Sequence, residues 1–71
     1  MGNLTGLRML RARAGLSQRQ LAVKAGLNVT TIVNFEAGRS KAPQAATVGR
    51  LARALGVPIE ELLELLEEAA S

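Results

Sequence analysis

The hydrophobic pattern of the chain contains one unit twice. An apolar residue, a polar residue able to cap a helix, and an apolar residue four positions after the cap occur as Leu16, Ser17 and Leu21, and again as Leu27, Asn28 and Ile32. The capping side chain accepts a backbone N–H that the first turn of a helix leaves without a partner, and the apolar pair closes over it as a hydrophobic staple. The doubled unit predicts helices over 18–25 and 29–37. Gln20, three residues after Ser17, completes a capping box for the first of them. Leu21, Ala22 and Ala25 form its inward stripe, and Ile32 and Phe35 that of the second.

Only Gly26 and Leu27 separate the first of these helices from the cap of the next. The two must therefore cross at a steep angle, as in a helix-turn-helix, and Ala22 has to be small because little room is left where they cross. Upstream, Asn3 caps a predicted helix over 4–14 with Leu4, Leu7, Leu10 and Ala14 at helical spacing, ended by Gly15 in a left-handed conformation. Gly6 inside it costs about 1 kcal/mol relative to alanine and weakens the first turn. Downstream, Pro43 begins a helix reaching Leu55, with Val48, Leu51, Ala52 and Leu55 inward, Gln44 as a poor cap and Gly56 as its end. The last helix, over 59–69, reads IEELLELLEEAA. Ile59, Leu62, Leu63 and Leu66 share its inward face, while Leu65 and Ala69 widen the apolar strip beyond one face. That excess fits a homodimer formed through the C-terminal helix, with a monomer as the alternative. The pattern as a whole is all-α, five helices in a single domain over residues 1–71.

Composition narrows the chemistry. The sequence has no cysteine, no histidine and no aspartate, which removes disulfides, the usual zinc sites and the serine and cysteine catalytic triads. Five of its six acids lie together from Glu60 onward, so a carboxylate pair facing across a catalytic cleft is not expected. An enzyme is not expected, and neither is a cofactor, a metal or a small-molecule substrate. No apolar run approaches the roughly eighteen residues a membrane span needs, and no signal-peptide pattern is seen, which predicts a cytoplasmic protein without a membrane partner, nucleoid-associated if bacterial or phage. The charge is divided: residues 1–59 hold all nine Lys and Arg against Glu36 alone, a net +8, and the rest carries −5. A basic body of this size points to a polyanionic partner, or else to a solvated basic surface. The outward positions of the 29–37 helix, Val29, Thr30, Val33 and Asn34, carry no charge, which suits a surface that meets something better than one that meets water.

With these residues in place, the sequence resembles the helix-turn-helix domain of the lambdoid phage repressor and Cro family, also called XRE-type. The resemblance spans residues 4 to about 63 and rests on Gln18, Ala22, Gly26, Ile32, Phe35, Glu36 and Gly38 at fixed spacing, and on LARALGVPIEELL for the last two helices. It implies a compact five-helix bundle of the lambda-repressor-like type that binds double-stranded DNA and acts as a transcriptional repressor or regulator. The 29–37 helix is then the recognition helix in the major groove. Val29, Thr30, Val33 and Asn34 become the base-contacting residues: Asn34 suits adenine, Thr30 either donates or accepts, and the valines suit a thymine methyl, so an A·T-containing half-site is expected. Gln18, Arg19, Asn28, Thr31, Arg39, Ser40 and Lys41 become phosphate or mixed contacts. Arg11 and Glu36 match positions that in the family form a structural ion pair between the first and third helices.

The sequence departs from the family's pattern in three places. The recognition helix lacks Arg and Lys, so a guanine contact would have to come from Arg39 or Arg19. Gln44 stands where a Ser or Thr cap is usual. The last helix is longer and more regular than the family requires, which also fits an engineered or excised domain. The alternative function is a helical protein-interaction module, antitoxin-like, in which the apolar third helix or the Leu-rich tail docks on a partner.

Overall fold

The computed structural model describes residues 5–39 and 43–70, with the side chains of 67–70 left aside. Five helices follow one another: α1 (Leu7–Arg13), α2 (Gln18–Ala25), α3 (Val29–Glu36), α4 (Ala45–Leu55) and α5 (Ile59–Ala70). α2 lies at the centre, packed against both α3 and α4; α1 reaches α3 on one side and α5 packs on α4 on the other. Small residues make this possible. Ala22 and Ala25 on α2 and Ala52 on α4 are buried, so the helix axes approach closely. Leu7, Leu21, Ile32, Leu51 and Leu62, one from each helix, are fully buried and meet in a single core.

α1 to α4 end by one device. Gly15, Gly26, Gly38 and Gly56 have φ between 68° and 72°, a conformation that costs glycine little and other residues more. The next N–H turns back onto the helix: Leu16 to the Arg11 carbonyl at 3.2 Å, Leu27 to Ala22 at 2.8 Å, Arg39 to Asn34 at 3.0 Å and Val57 to Ala52 at 3.1 Å. Leu16, Leu27 and Val57 then pack against the core, as the apolar residue after such a turn commonly does. Arg39 is the exception, being cationic and exposed.

Several boundaries differ from the sequence pattern. α1 starts at Leu7, with Gly6 in the capping position and no side-chain cap; Asn3 and Leu4 lie outside the described residues. Gly6 does more than weaken a turn, because a Cβ there would stand 2.8 Å from Leu65 Cδ2 of α5. Ala14 is exposed and follows the last turn instead of filling the core. α3 ends at Glu36, with Ala37 as its cap. α4 starts at Ala45, since Gln44 is extended (ψ 156°) and caps without a side-chain hydrogen bond. α5 runs one residue further than predicted, to Ala70.

The inward face of α5 is also rotated from expectation. Leu62 is fully buried, and Leu65 and Leu66 pack against the core. Ile59 and Leu63, expected inside, are 38% and 43% exposed. Five apolar residues in eight positions cover more than one face, so periodicity alone could not choose the edge that docks; the turn at Gly56 and the surface of α4 choose it. Leu62→Ala should lower stability by about 2 to 5 kcal/mol, whereas Leu63→Ala in the isolated chain should shift it by no more than about 0.5 kcal/mol. Urea unfolding of the two variants checks this, and equal losses would contradict the packing.

Candidate nucleic-acid interface

The pair α2–α3 is built from its caps outward. Ser17 Oγ accepts the Gln20 N–H at 3.0 Å and Gln20 Oε1 accepts the Ser17 N–H at 2.8 Å, the full capping box. Asn28 Oδ1 accepts the Thr30 N–H at 2.9 Å, which caps α3 and leaves the Asn28 amide N–H groups for another partner. Gly26 and Leu27 carry the chain between them, so the start of α3 is set firmly relative to α2.

On α3, Ile32 and Phe35 are buried, Thr30 is exposed, and Thr31, Val33 and Asn34 are half-buried. Val29 is shared between core and surface, since it packs partly against the hydrophobic cluster instead of lying fully outward. Helical side chains lean toward the N-terminus of their helix, and at the first position this directs Val29 back to the α2–α3 joint. Thr30 and Asn34 stand one turn apart, as do Val29 and Val33, so the four candidate base-reading residues form one uncharged patch.

A polar network runs behind this patch. Arg11 Nε donates to Glu36 Oε2 at 2.6 Å and Nη2 to Oε1 at 3.0 Å, a bidentate pair between α1 and α3. Arg11 Nη1 also donates to the Leu16 carbonyl at 2.9 Å. The pair is well enclosed, with the Arg11 side chain 16% and the Glu36 side chain 5% exposed. Its hydrogen bond to Glu36, helped by the opposite charge, raises the Arg11 guanidinium above its ordinary value despite the opposing effect of burial. Gln18, at the start of α2, donates from Nε2 to Glu36 Oε1 at 3.1 Å. That bond orients the Gln18 amide and leaves its second N–H and its Oε1 for other partners.

An open cleft of about 420 Å³ joins these elements, lined by Arg8, Arg11, Gln18, Val33, Glu36 and Ala37. Because Arg11 and Glu36 neutralise each other, Arg8 supplies the cleft's net positive charge. Neither Arg8 nor the link from Gln18 to Glu36 emerges from the sequence reading. Arg8 was legible as a cation three positions before Arg11 on one helix; Gln18 and Glu36, eighteen positions apart, share no periodic signal. Arg19 and Arg39 are exposed at either end of the α2–α3 unit. Ser40 and Lys41 lie outside the described residues.

The model of the family described as helix-turn-helix domain matches residues 5–66. The chain belongs to that family. Over 57 residues, which make up 80% of the chain, it is 42% identical to the uncharacterized HTH-type transcriptional regulator RghRB of Bacillus subtilis (strain 168) and covers 41% of that protein. It is 39% identical to the HTH-type transcriptional repressor RghR of the same organism, again over 80% of the chain and 42% of the relative. The chain thus spans about two fifths of the length of these curated relatives. Among solved structures it is similar to the restriction-modification controller protein C.AhdI from Aeromonas hydrophila, at 36% identity and a TM-score of 0.74, over 79% of this chain and 83% of that one. The clp gene regulator ClgR from C. glutamicum shares the fold at 23% identity and a TM-score of 0.76, over 92% of this chain and 83% of its own.

Arg11→Ala should cost about 3 to 5 kcal/mol by leaving the Glu36 carboxylate enclosed without its counter-charge. Arg11→Lys should recover only part of this, because an ammonium cannot hold both carboxylate oxygens in the guanidinium's planar fork. Melting midpoints of the three chains test the point, and equal midpoints would deny the pair its structural role.

Proposed function

We propose that the chain reads duplex DNA with α3 in the major groove, Val29, Thr30, Val33 and Asn34 facing base edges, and that it serves a transcriptional repressor or regulator. The observation that carries this reading is the uncharged patch on α3 set among cations. Arg8 lines the cleft beside Val33, Arg39 follows the end of α3, Arg19 is exposed in the first turn of α2, and the acid closest at hand, Glu36, is already neutralised by Arg11. Phosphates are then held by Gln18, Arg19, Asn28, Thr31, Arg39, Ser40 and Lys41, with Arg8 as an addition at the cleft, while bases are read by neutral side chains. The regulator and repressor names of the bacterial relatives support this reading over the interaction-module alternative. No described helix is long and apolar enough to cross a membrane.

The longest dimension of the described residues is 30 Å, and they present one such helix. Two successive major-groove faces about 34 Å apart therefore require two copies, and the exposed Ile59 and Leu63 of α5 are the surface through which they pair.

Selection of bound sequences from a random duplex pool should return half-sites containing A·T pairs, and Asn34→Ala and Thr30→Ala should each relax the preference at one position, by about 1 to 3 kcal/mol. Unchanged preferences with uniformly weaker binding would take base readout away from these residues. Affinity should fall with salt at a slope near −0.9 for each phosphate contacted, and Arg8→Ala should reduce that slope by about one such step. A slope near zero would contradict DNA binding altogether.

A further inference from the structure

Two exposed surfaces away from α3 carry apolar residues beside charge of a single sign. One is a groove between the C-terminal half of α2 and α4, about 420 Å³ in volume and lined by Val23, Lys24, Gly26, Arg50, Arg53 and Ala54 among others. Val23 is 75% exposed, a β-branched apolar residue on the outer side of a solvent-facing helix. Lys24, Arg50 and Arg53 are exposed around it, no carboxylate lines the groove, and none of the three forms an ion pair among the described residues. Arg50 Nη1 donates to the Gly26 carbonyl at 3.4 Å, which holds its guanidinium at the rim. The other surface is the outer edge of α5. There Ile59 and Leu63 are exposed one turn apart, with Glu60 and Glu64 exposed beside them at the same spacing.

We propose that a second copy of this chain docks the Ile59, Glu60, Leu63 and Glu64 edge of its α5 into the basic groove between α2 and α4, and that the contact is made reciprocally. The proposal rests on the reading that copies pair through α5, and names what α5 meets. Each surface has an apolar strip beside a charged strip of one sign, and the signs are opposite. Packing α5 on α5 instead would bring Glu60 and Glu64 of both copies together, and the sequence contains no Lys or Arg after Arg53 to offset them. Charges of one sign set against each other at an interface oppose association, whereas complementary strips favour it and fix register. In the groove, Ile59 and Leu63 find Val23 and Ala54, and the glutamates find Lys24, Arg50 and Arg53. Two such contacts related by a two-fold axis form a closed dimer, because each copy presents both halves of the interface.

Charge exchange tests this with the intact chain. Lys24→Glu with Arg53→Glu makes the groove acidic, and Glu60→Lys with Glu64→Lys makes the α5 edge basic; all four residues are exposed, so each variant should keep the helical content of the parent. In sedimentation at low salt the unaltered chain should be a dimer, and each variant alone should associate at least about tenfold more weakly. An equimolar mixture of the two should recover the dimer as a heterodimer, since both reciprocal contacts again pair opposite charges. A groove variant that stays dimeric while Leu63→Glu is monomeric would overturn the groove and leave pairing through α5 intact. An unaltered chain that is monomeric at every concentration, on DNA as well as off it, would overturn both.

Discussion

The enclosed carboxylate of Glu36 is the constraint on which the arrangement of this molecule depends. A charge removed from water has to be matched in sign and in hydrogen bonds, and here the match comes from two other helices. Arg11 on α1 grips both oxygens while also donating to the Leu16 carbonyl, and Gln18 at the head of α2 donates to Oε1. One carboxylate near the end of α3 thus locks α1, the α1–α2 turn and the start of α2 into a single geometry. The same network runs beside the surface proposed to face DNA, so the side chain that secures the fold also orients the Gln18 amide. Core and site are coupled through hydrogen bonds and not merely through proximity.

On the proposed reading, affinity and selectivity are separated by residue type around that lock. Phosphates carry full charges and are met most effectively by cations, which can sit on α1, on α2 or in the turn after α3 without exact placement. Base edges present short-range patterns of donors, acceptors and methyl groups, and these need side chains on a rigid helix. α3 has that rigidity because Asn28 caps its start, Ile32 and Phe35 anchor its inner side, and the Arg39 N–H closes its end. Arg39 occupies the place after the closing glycine that Leu16, Leu27 and Val57 fill with apolar contacts. Its departure from that habit puts a cation at the end of α3.

The acidic C-terminal helix plays a different part. Its inner edge supplies Leu62 to the core and brings Leu65 against Gly6, where the missing side chain leaves room. Its outer edge is left apolar and negatively charged on a body that is otherwise positive. On the proposed reading, such a division would repel DNA from one side of the domain while the basic side attracts it, and so orient the domain on a polyanion.

Much of this was legible in the sequence because it depends on neighbours. The capping box of Ser17 and Gln20, the Asn28 cap, the glycines that close α1 to α4 and the inward stripes of α2, α3 and α4 all act within about one turn of the chain, and local chemistry determines them. The five-helix order and the steep α2–α3 junction follow from the same signals together with the two-residue spacing at Gly26 and Leu27. What only the tertiary structure decided is which of several locally equivalent surfaces meets another. Periodicity offered α5 two apolar edges, and the surface of α4 selected the one bearing Leu62, Leu65 and Leu66. Spacing left Gly6 as a defect in a helix, and the approach of Leu65 made it a fitted gap. The path from Arg11 through Glu36 to Gln18 joins residues up to 25 positions apart; no local rule connects them, because the energy that does so arises only when three helices bring those groups together out of water.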